Sequence, residues 1–227
     1  RWEGNGLFAE SIRTGNRPIT KDYTTGDMGD HWVADYASSW LNPEKNLEQL
    51  DLMWESLEIQ PKAGLKMLDV ACGTGRKSLS LARRHPGVQV TLIDRPEMVR
   101  VAGDVAVAFD VEKQVKTIAG DILSIDFGSN LYDIILLGNI THFFNKTDNV
   151  RLFRKCYNAL LPGGVVIINS VVRRDGEPSL LWIGSWLYAT SPSGEDYNFL
   201  DYKELLESEG FINSKDVNSQ LIKSFKS

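Results

Sequence analysis

The sequence predicts an α/β fold, an open and mainly parallel sheet wound by right-handed crossovers and covered by helices on both faces. Three observations carry this expectation. From Lys66 onward, short β-branched or apolar runs alternate with longer stretches of helical spacing. The first such run leads straight into a turn containing Gly73 and Gly75 and then into an amphipathic segment, "MLDVACGTGRKSLSLARRH". The 227 residues, 42% of them hydrophobic, are enough for one sizeable core.

The elements follow in order. Strands are expected at Lys66–Val70, Val88–Ile93, Val115–Ala119, Tyr132–Leu137 and Val165–Asn169. Helices are expected between them at Lys77–Arg84, Pro96–Phe109 and Asn149–Leu161. Pro96 suits a first helical turn, where its missing N–H would find no partner anyway. "LLPGG", Leu160 to Gly164, reads as a helix stop followed by a turn. After Asn169 the rhythm breaks into a long connection, "VVRRDGEPSLLWIGSWLYATSPSGEDYNF", which carries Trp182, Trp186 and Tyr188. A last helix at Asp201–Glu209 leads to Gly210, of C-cap character, and to terminal strands near Phe211–Val217 and Gln220–Phe225. Upstream, "WVADYASSWLNPEKNLEQLDLMWESL" reads as one or two helices lying over the open end of the sheet.

Composition narrows the function. The net charge of −5, with acids and bases well mixed, offers no basic face for the counterion release that drives nucleic-acid binding. The longest apolar runs fall well short of the roughly 20 residues of a membrane span, and no signal-peptide pattern opens the chain. Cys72 and Cys156 are too few for a disulfide framework and lack metal-ligand spacing, which fits a reducing, cytoplasmic setting. The start at Arg1, in a polar segment bearing Trp2 and Phe8, reads as a cut end, of a shortened chain or of a domain excised from a longer polypeptide.

In open α/β sheets, ligands bind beyond the carboxyl ends of the strands at the switch point. A glycine turn there lets backbone approach a ligand where a side chain would clash. A dinucleotide fingerprint would read G-x-G-x-x-G, but the third glycine position is Ser78. Asp69, at the end of the first strand, is expected to face the same crevice, where it would repel a pyrophosphate and suit a cationic ligand. S-adenosylmethionine carries a sulfonium and an α-ammonium. Asp94 ends the second strand, about 20 residues further on, where a carboxylate accepts ribose hydroxyls in either ligand class. Asp121, in "AGDIL", follows the third strand and can receive the exocyclic amine of adenine, with Ile122 against the ring. Singly, each acid is as well explained by a helix cap or a solvated loop. Together, at successive strand ends, they point to a nucleoside-bearing ligand.

The runs "LDVACGTG", "LIDRPEMV", "AGDIL", "LLGNITHFF" and "ALLPGGVVIINSVV" resemble successive motifs of class I S-adenosylmethionine-dependent methyltransferases. More narrowly, they resemble the O-methyltransferases of plant phenolics and bacterial polyketides. "LFAESIRTGNRP" is similar to the segment that follows that family's helical N-terminal dimerisation domain, and "GEDYNFLDYKELLESEGF" to its closing helix. The resemblance implies a Rossmann-like seven-stranded sheet with an antiparallel last strand. It also implies a helical lid or linker over residues 1–60 and a catalytic domain over 61–227. S-adenosylmethionine would be the methyl donor, leaving S-adenosylhomocysteine, with Asp69, Ala71, Gly73, Gly75, Asp94, Arg95, Gly120, Asp121, Ile122, Gly138 and Asn139 as the donor-binding set. The acceptor would be a natural-product hydroxyl, either free or tethered to a carrier protein as in a multi-domain synthase.

Methyl transfer is an in-line displacement at a carbon already activated by the sulfonium, so the protein chiefly aligns the reactants and removes a proton. His142 lies just beyond the fourth strand, at the position where the family places its general base. Its bland alternative is a histidine packed against Phe143 and Phe144. His85 and His31 are less well placed. Relatives often continue His-Asp-Trp where this chain has Phe143-Phe144, and many carry an acid where it has Asn169-Ser170. That leaves Asp196 as the candidate catalytic acid to orient the histidine. Trp182 and Trp186 share one helix face and are candidates for acceptor binding or for core. C-methyl transfer to a similar acceptor stays open, as does a domain that binds the donor without catalysis. A nicotinamide-dependent oxidoreductase would explain the fold and Asp94 but not Asp69 or Ser78. Gly138-Asn139-Ile140-Thr141 is not the Asn/Asp-Pro-Pro-aromatic run of nucleic-acid N-methyltransferases, and no adjacent acid and amide pair offers a metal site.

Overall fold

The computed structural model describes residues 11, 13–17, 46–174, 187, 191–218 and 220–227. Its elements are α1 (Leu47–Ser56), β1 (Lys66–Val70), α2 (Arg76–Arg84), β2 (Gln89–Asp94), α3 (Pro96–Ala108), β3 (Val115–Ala119), β4 (Tyr132–Gly138), α4 (Lys146–Ala159), β5 (Leu160–Asn169), α5 (Phe199–Ser208), β6 (Phe211–Asp216) and β7 (Leu221–Lys226). The seven strands form one sheet in the order β3-β2-β1-β4-β5-β7-β6. β1 to β5 pair in parallel, and β7 runs antiparallel between β5 and β6.

Alternation along the central strands feeds two cores. Leu68, Val70, Ile135, Leu137, Val166 and Ile168 point to one face, where α4 and α5 contribute Leu152, Phe153, Tyr202 and Leu206. Met67, Val90, Leu92, Ile134, Leu136 and Ile167 point to the other, covered by Trp54, Leu79, Ala102 and Val105 of α1, α2 and α3. Burial on both faces is why these strands read as unbroken apolar runs. Among the described residues, no helix is long and apolar enough to cross a membrane.

Three expectations are corrected. The fourth helix starts at Lys146 rather than Asn149 because Asn145 caps it, its side-chain oxygen accepting the Asp148 N–H at 2.9 Å. It ends at Ala159, and "LLPGG" is not a free turn. Leu160 is fully buried and already pairs with Tyr132, and the proline and glycines sit in an irregularity of that pairing. The described part of the upstream helical segment, α1, lies against a sheet face beside α2 instead of over the open end. Trp54 and Leu57 are buried in that face's core, and the Trp54 Nε1–H donates to the Lys77 carbonyl at 2.8 Å.

α5 opens on a reciprocal cap in which the Asn198 side chain accepts the Asp201 N–H at 2.8 Å and the Asp201 carboxylate accepts the Asn198 N–H at 3.0 Å. Asn198→Ala is expected to lower the unfolding free energy by about 1 kcal/mol, read as a reduced midpoint in urea with an unchanged slope.

Candidate active site

β1 and β4 lie side by side while their successors run to opposite sides, so the crevice beyond their carboxyl ends is the switch point of the sheet. The first residue after each strand is strained. Ala71 has φ 55° and Asn139 φ 56°, left-handed conformations that cost a non-glycine residue about 1 kcal/mol or more. The Asn139 N–H is held at 2.7 Å by the Asn169 carbonyl at the end of β5. Between β1 and α2, the Gly75 N–H closes a turn onto the Cys72 carbonyl at 2.8 Å. Gly73 adopts φ 57°, and among the described residues a Cβ there would meet no atom within 4 Å, which leaves this stretch of backbone approachable.

Asp94 fastens this turn to the end of β2. One carboxylate oxygen accepts the Gly73 N–H at 2.7 Å and the other the Arg95 N–H at 2.7 Å. Burial raises its pKa, and these two bonds pull it back down. Each oxygen keeps a second lone pair, which is what two ribose hydroxyls require.

Asp69 is not the exposed guard of the crevice that its position suggests. It is 2% exposed and accepts the Ser78 hydroxyl, with Lys77 and Asp94 as its charged neighbours. Burial pushes its pKa up to about 7, opposed by Ser78 and Lys77, so its charge is only partly developed near neutrality. The folded state therefore holds a proton that the unfolded chain sheds near pH 4. Stability falls as pH rises through that window, by on the order of 4 kcal/mol once it is crossed. His142 acts in the opposite sense. Burial, with the Lys77 charge, lowers its pKa to about 4, so below the usual histidine range the unfolded chain binds the extra proton and stability rises with pH. Asp69→Asn is expected to be more stable than the parent at about pH 8 and to lose that advantage by about pH 4 in urea titrations. Equal stability of the two proteins at both values would mean that Asp69 stays ionised in the fold.

His142 sits in a single 3-10 turn, Thr141–Phe143, just beyond β4. It is 5% exposed and packs against Phe143 at 4.6 Å between ring centroids. Every carbonyl of the turn is taken. The Thr141 carbonyl accepts from Asn149 at 2.9 Å, that of His142 from the Glu195 N–H at 3.0 Å, that of Phe143 from Ser191 at 2.9 Å and that of Phe144 from Tyr197 at 2.8 Å. The loop supplying the last three of these donors is itself strapped by Arg17, whose guanidinium donates to the Ser191 and Gly194 carbonyls at 2.8 and 3.0 Å. The backbone of the turn that carries the histidine is thus held at four successive carbonyls.

The partner of the ring is not the expected acid. Nδ1 lies 2.9 Å from the Ser170 hydroxyl, which also reaches Tyr202, and the Tyr202 hydroxyl pairs with Thr141 at 2.7 Å. Asp196 makes no hydrogen bond to the ring. Its carboxylate faces Arg173 at 3.8 Å, beyond hydrogen-bond distance, and among the described residues its buried Oδ2 has no hydrogen-bond partner. Asp121 caps its own turn, accepting the Leu123 N–H at 3.0 Å and the Ser124 hydroxyl at 2.9 Å, while Ile122 is buried in the core. Of the expected set, Asp69, Ala71, Gly73, Gly75, Asp94, Gly138, Asn139 and His142 gather around the β1 and β4 ends. Arg95, Gly120 and Asp121 flank them at the ends of β2 and β3. Trp182, Trp186 and Tyr188 lie outside the described residues. Three side chains carried no signal of their own in the sequence, namely Ser170, Tyr202 and Lys77. Lys77 reaches over the crevice from α2 to within 3.2 Å of where a Cβ on Gly138 would stand.

This strand order, with a glycine turn and a ribose-type acid at its switch point, defines a class I methyltransferase fold. Residues 67–164, less than half of the chain, match the family profile described as a methyltransferase domain. The chain is 25% identical over 154 residues to 3-hydroxy-5-methyl-1-naphthoate 3-O-methyltransferase of Streptomyces sahachiroi, covering 64% of this chain and 42% of that protein. It is 27% identical over 182 residues to L-tyrosine C(3)-methyltransferase of Streptomyces lavendulae, covering 78% and 47%. The chain therefore spans less than half the length of either relative. Among solved structures, the mitomycin 7-O-methyltransferase MmcR superposes with a TM-score of 0.78 at 17% identity, covering 99% of this chain and 67% of that one. Human N-acetylserotonin methyltransferase in complex with S-adenosylmethionine gives 0.68 at 20%, covering 100% and 67%. These likenesses at low identity establish the fold.

Proposed function

We propose that the protein transfers a methyl group from S-adenosylmethionine to a hydroxyl of a small aromatic or polyketide-type acceptor, with His142 receiving the proton. The observation that carries this reading is His142 in its held turn at the end of β4, on the same edge of the sheet as the glycine turn and Asp94. The donor, when bound, supplies a methyl carbon activated by the sulfonium. Asp94 would hold the ribose and the backbone around Gly73 would pass along the nucleoside. Asn139 and Gly138 would border the reacting end. In the tautomer whose Nδ1–H donates to the Ser170 hydroxyl, Nε2 would be the nitrogen that receives the proton. The free thiols Cys72 and Cys156 support a cytoplasmic setting. A hydroxyl carried on a free natural product and one tethered to a carrier protein both fit this reading.

A second reading, methyl transfer to carbon, is favoured by the similarity to the tyrosine C(3)-methyltransferase. Both are tested by incubating the protein with methyl-labelled S-adenosylmethionine and a panel of hydroxylated aromatics, then locating the label by NMR. A methoxy carbon supports oxygen as the acceptor atom, and an aryl methyl carbon replaces it with the second reading. Calorimetry with S-adenosylhomocysteine and with NAD separates both from an oxidoreductase, since binding of NAD alone would overturn the assignment.

A further inference from the structure

We propose that Lys155 is a positioning residue for adenine recognition: it locks the peptide between Ile122 and Leu123 and so holds the Asp121 carboxylate where the exocyclic amine of the donor's adenine meets it. The proposal rests on S-adenosylmethionine as the donor and on the adenine-binding reading of Asp121, and is independent of the atom that is methylated. The loop leaves β3 beside the ribose-type acid, since the Gly120 N–H donates to the Asp94 carbonyl at 2.9 Å. It then closes on itself around Asp121. One carboxylate oxygen accepts the Leu123 N–H at 3.0 Å, the other accepts the Ser124 hydroxyl at 2.9 Å, and the Asp121 carbonyl accepts the Ile125 N–H at 2.8 Å. Each carboxylate oxygen keeps a lone pair, and the side chain is exposed, so Asp121 is still able to accept an amine. A surface turn closed only by bonds within itself opens easily. Its precision has to come from outside it.

Lys155 is that outside support. Its ammonium donates to the Ile122 carbonyl at 2.5 Å, 33 residues away in sequence, and sits 4.3 Å from the centroid of the Phe127 ring. The peptide between Ile122 and Leu123 is therefore gripped at both ends, its C=O by Lys155 and its N–H by Asp121. Because a peptide unit is planar, turning its C=O away from Lys155 also turns its N–H away from Asp121. The orientation of the carboxylate is in this way tied to a residue with which it shares no hydrogen bond. The base of the grip is firm. Phe153 and Cys156, beside Lys155 in α4, are fully buried, and Ile122 and Phe127 are buried as well. Lys155 itself is half-buried, and burial lowers its pKa while Cys156, Asp121 and Asp126 oppose this. An ammonium over an aromatic face, on a carbonyl and near two acids is a cation kept in one place. Earlier along the same helix, the Asn149 side chain donates to the Thr141 carbonyl at 2.9 Å in the turn of His142. α4 thus braces the loop after β3 and the turn after β4 from one rigid element.

The test compares the parent protein with Lys155→Met and Lys155→Arg by calorimetry, using S-adenosylhomocysteine and S-inosylhomocysteine, in which a carbonyl replaces the exocyclic amine. The parent is expected to prefer the adenosine compound by about a hundredfold, because the inosine compound sets an oxygen against the carboxylate in place of the amine. Lys155→Met keeps an unbranched stem beside Phe127 and removes the N–H. It is expected to weaken S-adenosylhomocysteine about tenfold and S-inosylhomocysteine by less than about threefold, so that most of the preference is lost. Arginine both donates to a carbonyl and stacks on a ring, and Lys155→Arg should restore most of that preference. Lys155→Gln, which removes the charge and shortens the reach, is expected to show the same loss and carries the test should the methionine variant fail to fold. If the neutral variants weaken both compounds by the same factor, Lys155 only supports the fold and the proposal is overturned. An unchanged preference overturns it too. A parent protein that binds S-adenosylhomocysteine without preferring it to the inosine compound overturns the adenine reading of Asp121, and one that binds neither overturns the donor itself. Both outcomes are visible before any variant is compared, and both take the proposal with them.

Discussion

His142→Asn is expected to lower kcat by about two to four orders of magnitude while leaving S-adenosylhomocysteine affinity within a few-fold of the parent. Asparagine is the informative replacement. Its side-chain amide can keep a hydrogen bond to the Ser170 hydroxyl where Nδ1 now lies at 2.9 Å, but it offers nothing that accepts a proton. Alanine would also open a cavity beside Phe143 in a turn where His142 is 5% exposed, confounding a chemical loss with a packing loss. Initial rates under saturating donor, with thermal melts run alongside, give the result. Full turnover by a stable His142→Asn protein would make the residue a packed core histidine, and the proton would have to leave by another route.

Asp94→Ala is expected to raise the Kd for S-adenosylhomocysteine by at least about a hundredfold, because hydrogen bonds to a charged group are worth about 1.5–3 kcal/mol each and two ribose hydroxyls are involved. The turn suffers as well, since the Gly73 and Arg95 N–H groups lose their 2.7 Å acceptors. Asp94→Asn separates the two contributions. It keeps one acceptor oxygen and removes the charge, so its Kd should fall between the parent and the alanine variant. Calorimetry on all three proteins decides the matter. An unchanged Kd for Asp94→Ala would place the nucleoside elsewhere on the sheet edge.

The parallel core was legible because burial on both faces leaves a local mark. Lys66–Val70 and Val115–Ala119 are found with the expected ends, and the other strands shift by a residue or two except β5, which begins five residues early at Leu160. That strand was hidden by "LLPGG", whose proline and glycines announce a turn, while the pairing of Leu160 with Tyr132 is a tertiary fact. The glycine turn at the switch point was likewise legible, because Asp69, the glycines and Asp94 stand at strand ends, where spacing alone reveals them. Their electrostatics were not. An acid at a strand end gives no sign of whether it faces solvent or lies under its own turn, and Asp69 lies under it with Ser78. The surroundings of His142 were the least legible. Ser170 is 28 residues from His142, and Tyr202 is 61 from Thr141, so nothing in the local pattern ties them together. Asp196 was the natural choice on charge. In the fold it lies nearer Arg173, 23 positions earlier, than the ring, to which it makes no hydrogen bond.

The strap made by Arg17 has a thermodynamic consequence. Its guanidinium holds the carbonyls of Ser191 and Gly194, and the next residue along, Glu195, holds the carbonyl of His142. Docking of the segment around residue 17 and the seating of the histidine are therefore linked equilibria, each favouring the other by the same free energy. A molecule that fills the crevice and steadies His142 must also tighten the grip on Arg17, so protection of that segment from protease becomes a reporter of occupancy at a place the molecule never touches.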